Sequence, residues 1–177
     1  AFFTSNVEIG NFQAAVNFGA LVGIVATPVA ASLFPAFSKL DLQTRKDELK
    51  RLFELSVRYA TLLILPVAVS VGALSKDLIR AVYGVAYGYA STYLTLYVGI
   101  FALTGLGYYV VGNFLNGVGR TKDTLKIGIV QLAIFLPAAP VMALLYRVPG
   151  LILALILSAL VAISFGLRLA TGKHGMQ

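Results

Sequence analysis

Charge is missing from this chain in long blocks. Five stretches contain no Asp, Glu, Lys or Arg: Ile9–Ser38, Tyr59–Ser75, Ala81–Gly119, Ile127–Tyr146 and Val148–Leu167. A helix rises about 1.5 Å per residue, so about 20 apolar residues cross a hydrocarbon core of about 30 Å. Four stretches meet that length outright. The second is short, but Arg58 at its edge can extend its charged head to the interface. The third exceeds one crossing. Gly84, Gly88 and the tyrosines at 83, 87 and 89 predict an interfacial turn ahead of its helix. The expectation is an all-α fold: a polytopic membrane helix bundle, one membrane domain over residues 1–177. Its five transmembrane helices are expected near 12–35, 55–75, 90–116, 124–146 and 149–170.

Composition agrees. Apolar residues make up 59% of the chain and charged residues 12%, about half the usual soluble share of roughly 25%. A soluble domain of this size must cover its surface with charge. That excludes a soluble enzyme, a disordered chain and an ordinary nucleic-acid binder. There is no Cys, so neither a disulfide framework nor a thiolate metal site is available. The only His is His174, in the tail, and the chain shows no cluster of His, Asp and Glu and no buried carboxylate pair. No metal, cofactor or catalytic set is therefore expected, and the chain is not expected to be an enzyme. It opens at Ala1 without a charged leader, and a piece of a longer protein is expected.

The one dense charge run is Ser38–Arg51. Thr44 with Asp47 three residues on suits a helix start. Leu49, Leu52, Phe53 and Val57 recur on one face, and Asp47–Arg51 and Glu54–Arg58 are opposite charges at helical spacing. Residues 42–54 are expected to form an amphipathic segment lying on the membrane surface and feeding the second crossing. Five crossings put eleven basic residues, from Lys39 to Lys173, on one side. Lys76, Arg80 and Arg147 fall on the other. The positive-inside rule makes the richer side cytoplasmic, with the N-terminal end outside. The net charge of +7 then reflects topology and anionic headgroups, not nucleic acid.

Pro28, Pro66, Pro137 and Pro140 interrupt apolar helices, and Gly19 and Gly23 form a GxxxG step that suits close packing within the bundle. Polar side chains at membrane depth are costly facing lipid, so they should face the bundle or a wet cavity. Gln13 and Asn17 share a face, as do Asn113 and Asn116; Gln131 lies in the fourth helix, and Tyr89, Tyr93 and Tyr97 form a line. For any one of them, helix-to-helix bonding is the plainer role; as a set they can line a polar path. Arg58 is the one charge within reach of a cavity, where its forked donors suit phosphate. Snorkelling, or pairing with Glu54, is the plainer expectation. Arg58, Gln13, Asn17, Asn113, Asn116, Gln131 and Tyr97 are the candidate substrate-binding residues.

Three runs carry a resemblance. They are Ile9-Gly-Asn-Phe-Gln-Ala-Ala leading to Leu33-Phe-Pro-Ala-Phe-Ser-Lys39; Val82-Tyr-Gly-Val-Ala-Tyr-Gly-Tyr-Ala90; and Asn113-Phe-Leu-Asn-Gly-Val-Gly-Arg-Thr-Lys122 with Tyr146-Arg-Val-Pro-Gly150. In order and spacing they resemble the C-terminal half of Wzx-type polysaccharide flippases. These belong to the multidrug/oligosaccharidyl-lipid/polysaccharide (MOP) exporter superfamily, which also contains MATE-like transporters. The resemblance implies a two-lobed transporter in the cell membrane, of which this chain is the second lobe, with a missing N-terminal lobe as partner. It implies that a polyprenyl-phosphate-linked glycan is flipped across the bilayer by alternating access. A MATE-like multidrug or cation antiporter and a non-transporting membrane scaffold are the alternatives. The absence of carboxylates at mid-depth counts against the first of these.

Overall fold

The computed structural model describes residues 6–38 and 46–172. Every regular element among them is helical. The first helix, α1 (Asn6–Ser38), is 33 residues long and α2 (Lys46–Ala73) is 28. A short helix follows, α3 (Ser75–Tyr83), then a single 3-10 turn at Val85–Tyr87. Next comes a broken span: α4 (Ala90–Val98), a 3-10 segment Gly99–Leu106, and α5 (Val111–Gly117). The last element, α6 (Thr121–Thr171), has 51 residues.

Three helices, α1, α2 and α6, are long and apolar enough to cross a membrane, and the bent pair of the broken span makes a fourth. α6 is not one crossing. A straight helix of 51 residues would reach about 75 Å, more than twice a hydrocarbon core. It doubles back at Arg147, whose φ of 53° and ψ of −132° are not helical. The two arms then run side by side. A Cβ at Gly166 would lie 2.8 Å from Ile127, and the Arg120 guanidinium donates to the Leu169 carbonyl at 3.0 Å. The turn is closed by Gly150, where any Cβ would collide with the Met142 carbonyl. Arg147 Nη1 donates to Glu8 Oε1 at 3.1 Å, tying the turn to the start of α1. The chain therefore folds as a polytopic helical bundle.

Contacts at the two ends define its poles. At the pole where α1 begins, the buried side chain of Asn11 accepts from the Ala90 backbone N–H at 2.9 Å. That amide opens α4, and the side chains of its own first turn do not cap it. Asn11 also donates to the Val7 carbonyl. At the opposite pole Gly117 lies against α1, its hypothetical Cβ 3.1 Å from the Phe34 carbonyl. Phe114 stacks edge-on against Phe37 and Phe53, each at 5.3 Å, and so joins α1, α2 and α5. Here too Asp123, in the charged turn ahead of the apolar part of α6, is bridged by Lys126 and Arg120 at 2.8 and 2.7 Å. The Lys126 hydrogen bond, aided by Arg120, holds its carboxyl below the ordinary value against the opposing pull of burial.

Lipid tails are as apolar as leucine, so close packing rather than water exclusion holds such helices together. The inward faces are accordingly built of small residues. On α1 they are Ala15, Gly19, Val22 and Ala26; on the second arm of α6 they are Ala154, Ser158, Ala162, Gly166 and Ala170.

The structure corrects several expectations. Residues 46–54 are not a separate surface helix; they are the first turns of an uninterrupted α2. Their apolar face is buried in the bundle, with Leu49 fully covered and Phe53 against Phe114. The 28 residues of α2 reach about 42 Å, enough to project beyond the hydrocarbon without lying down. The pairs Asp47–Arg51 and Glu54–Arg58 are not among the ion pairs of the described residues. The third span is not one regular helix. Of the GxxxG step, Gly19 is pressed against the Tyr97 ring while Gly23 meets nothing. Thr44, Lys39, Arg45, Lys173 and His174 lie outside the described residues.

Two substitutions test these contacts. Replacing Asn11 with Leu strips the start of α4 of its acceptor and should lower stability by about 1–2 kcal/mol. Gly150→Ala should cost more, because backbone must move to admit the methyl group. Thermal unfolding of the detergent-purified full-length protein measures both; a Gly150→Ala variant as stable as the parent would remove the tight turn from the fold.

Candidate functional site

The bundle has two kinds of uncovered face. On the first arm of α6, Leu125, Ile129, Leu132 and Leu136 form one stripe, each more than half exposed. Bulky aliphatic side chains in a row are what lipid accepts. On α1 the exposed stripe at helical spacing reads Gln13, Asn17, Ala20, Ile24, Thr27 and Ala31. Five of its six side chains are polar or a single methyl group, with only Ile24 bulky and apolar, and it runs through an otherwise apolar helix. A polar group facing hydrocarbon is costly. This stripe is therefore suited to a wet cavity or another protein surface, not to lipid.

Its polar head is organised. Gln13 Nε2 donates to Asn17 Oδ1 at 3.0 Å, and Asn17 Nδ2 donates to the Tyr83 hydroxyl at 3.2 Å. Tyr83 is positioned by Phe18, edge-on at 6.0 Å, and by Tyr87 at 5.0 Å. The face shared by Gln13 and Asn17 could be read from their spacing; the contribution of Tyr83, 66 residues away, could not.

A second polar region lies where the third span breaks. The 3-10 segment ends at Gly107, left-handed at φ 88° and ψ 21°. The span bends there by 47°. A Cβ at this φ is strained, which is why glycine occupies it. Beyond the break, Tyr108 and Tyr109 pack edge to face at 5.3 Å. Tyr108, Gln131 and Thr124 border a cavity of about 250 Å³ between α5 and both arms of α6. The Thr124 hydroxyl, and that of Thr104 inside the 3-10 segment, are buried without a protein partner. A buried hydroxyl in that state is costly, and a polar guest such as water satisfies it.

The seven candidates thus do not form one path. Gln13 joins Asn17, Gln131 lines a cavity with Tyr108, and Tyr97 packs against Gly19 of α1. Asn113 donates to the Tyr109 carbonyl of its own span at 2.8 Å, which secures backbone freed at the break. Asn116 is half-buried on α5, and Arg58 is exposed on α2. Sequence reasoning passed over Asn11, Tyr83, Thr104 and Thr124. Of these only Asn11 carried a signal, an amide inside an apolar helix beside two others already noted.

A helical bundle with lipid-facing leucines, a polar outer stripe and a broken span is a multi-pass membrane protein. Residues 1–92 match the family model described as polysaccharide biosynthesis protein. That is more than half of the chain, and the chain belongs to this family. No curated protein and no solved structure matches it significantly. The first two of the three sequence runs are now explained as packing: they meet where Asn11 holds Ala90 and where Tyr87 approaches Gly10.

The contrast between the two faces is directly measurable. Single cysteines at Asn17 and Thr27 of the full-length protein in its membrane should react with a water-soluble maleimide about ten times faster than one at Leu132. Equal rates at all three positions would mean that the α1 stripe faces lipid.

Proposed function

We propose that this chain is a lobe of a carrier that moves lipid-linked oligosaccharide across the cell membrane. The observation that carries this reading is the uncovered polar stripe of α1, in a family of polysaccharide biosynthesis proteins. A sugar-phosphate head cannot enter hydrocarbon unaided, because each unpaired polar group costs several kcal/mol there. A lining of amides and hydroxyls offers it replacement partners while the polyprenyl tail stays in lipid. Gln13, Asn17 and Thr27 would supply that lining, facing a second lobe across the cavity. Arg58, exposed near the other pole, would meet the phosphate as it enters.

Alternating access then requires the stripe to be open to one side at a time. The pole rich in basic residues, with Arg120, Lys122, Lys126 and Arg168, is assigned to the cytoplasm by the positive-inside rule. The chain would act without a cofactor and without covalent chemistry.

The test is transport of a fluorescent polyprenyl-linked oligosaccharide by the full-length protein in liposomes, read by a quencher that cannot cross the bilayer. Replacing Gln13 and Asn17 together by Leu should slow flipping about tenfold at equal protein content. Tyr83→Phe, which removes only the hydroxyl that anchors Asn17, should stay within about twofold. A parent protein no faster than empty liposomes would refute the proposal. A Tyr83→Phe variant as slow as the double variant would make the stripe a structural contact.

A further inference from the structure

The pole where α1 begins carries three basic residues among the described ones: Lys76, Arg80 and Arg147. Arg147 is committed to Glu8. Lys76 and Arg80 are not. They stand four apart on α3, so they share a face, and both are exposed. Neither forms an ion pair with a described residue. Like charges at this spacing repel on an isolated helix, and an anion held between them reverses that sign.

The space between them is shaped to hold one. Lys76 and Arg80 form one wall of an open cavity of about 430 Å³, and Gly84, Tyr87, Gly88 and Ser91 form the facing wall. No carboxylate lines it. Asp77 is on α3 too, but it follows Lys76 directly and so points about 100° away around the helix. A Cβ at Gly84 would meet nothing within 4 Å, so that wall is backbone open to the cavity. The Ser91 hydroxyl at the rim donates to the Gly88 carbonyl at 3.3 Å, so the donors of this cavity are Lys76 and Arg80.

We infer that this cavity is a binding site for a phosphate group, taken with the polar substituent that carries it. An Arg fork and a Lys point charge are together suited to phosphate oxygens. The cavity is far larger than bare phosphate needs, which leaves room for a glycerol or sugar. Its place beside the interfacial tyrosines puts it at headgroup depth. Two sources share this chemistry: the headgroup of an anionic lipid, and a water-soluble phosphate. The inference does not depend on transport, since the pocket is lined by none of Gln13, Asn17, Thr27 and Arg58.

Native mass spectrometry of the full-length protein in detergent, titrated with phosphatidylglycerol, tests the lipid source. Calorimetric titration with inorganic phosphate tests the soluble one. The variant is Lys76→Gln with Arg80→Gln, checked for unchanged helicity, and the control is Lys50→Gln with Arg51→Gln at the opposite pole. The expected result is a loss of about tenfold in phosphatidylglycerol affinity for the variant and none for the control. If inorganic phosphate instead binds in a Lys76- and Arg80-dependent way while the lipid does not, the site stands and its ligand comes from water. If the variant binds both probes as well as the parent does, or if the parent binds neither, the inference is overturned.

Discussion

Hydrocarbon supplies no hydrogen-bond partner, so wherever a helix stops inside a bilayer the protein itself must satisfy the freed backbone. This chain stops its helices often. It breaks after Tyr83, through the 3-10 segment to Val111, after Gly117 and at Arg147. At the first three of these a specific group answers. Asn11 accepts from the amide that opens α4. Asn113 donates to the carbonyl of Tyr109. Arg120, beside the α5–α6 junction, donates to Leu169 on the far arm. The bonds of Asn11 and Arg120 reach across the fold and the bond of Asn113 is local; together they give these polar side chains a role at the breaks.

The same economy of polar groups separates the surfaces. Leu125, Ile129, Leu132 and Leu136 form a face that lipid solvates well, whereas the α1 stripe of Gln13, Asn17 and Thr27 is poorly served by it. Between them the bundle is held by close approach of small residues and by the Phe37–Phe114–Phe53 cluster. A carrier lobe needs this division: one side that stays in contact with lipid tails, and one that can be wetted.

Much of the architecture could be read in the sequence because blocks without charge are a strong signal. The two arms of α6 were separable at Arg147, the one charge between them. Helix interiors were harder. The face of Leu49 and Phe53 suits a membrane surface and a neighbouring helix equally, and only the fold shows that Phe114 covers it. Within Gly99–Leu106 Thr104 is the one polar side chain and no polar face sets a helical phase, so the 3-10 segment left no trace beyond its glycines. Gln13 and Asn17 were visible as a pair, but Asn11, two residues earlier, points inward as a cap. Spacing says which residues share a face; it does not say what that face meets.

The 3-10 segment has a mechanical consequence. Its eight residues are wound at three per turn, so they are about 4 Å longer than the same residues in α form and turned about 160° further. The added twist lets a single span change neighbours along its length. Its outer half packs on α1 and its middle on α2. A uniform helix would keep one neighbour throughout. The winding thus lets one span grip two helices that also pack on each other, like a thread with two pitches on the same bolt.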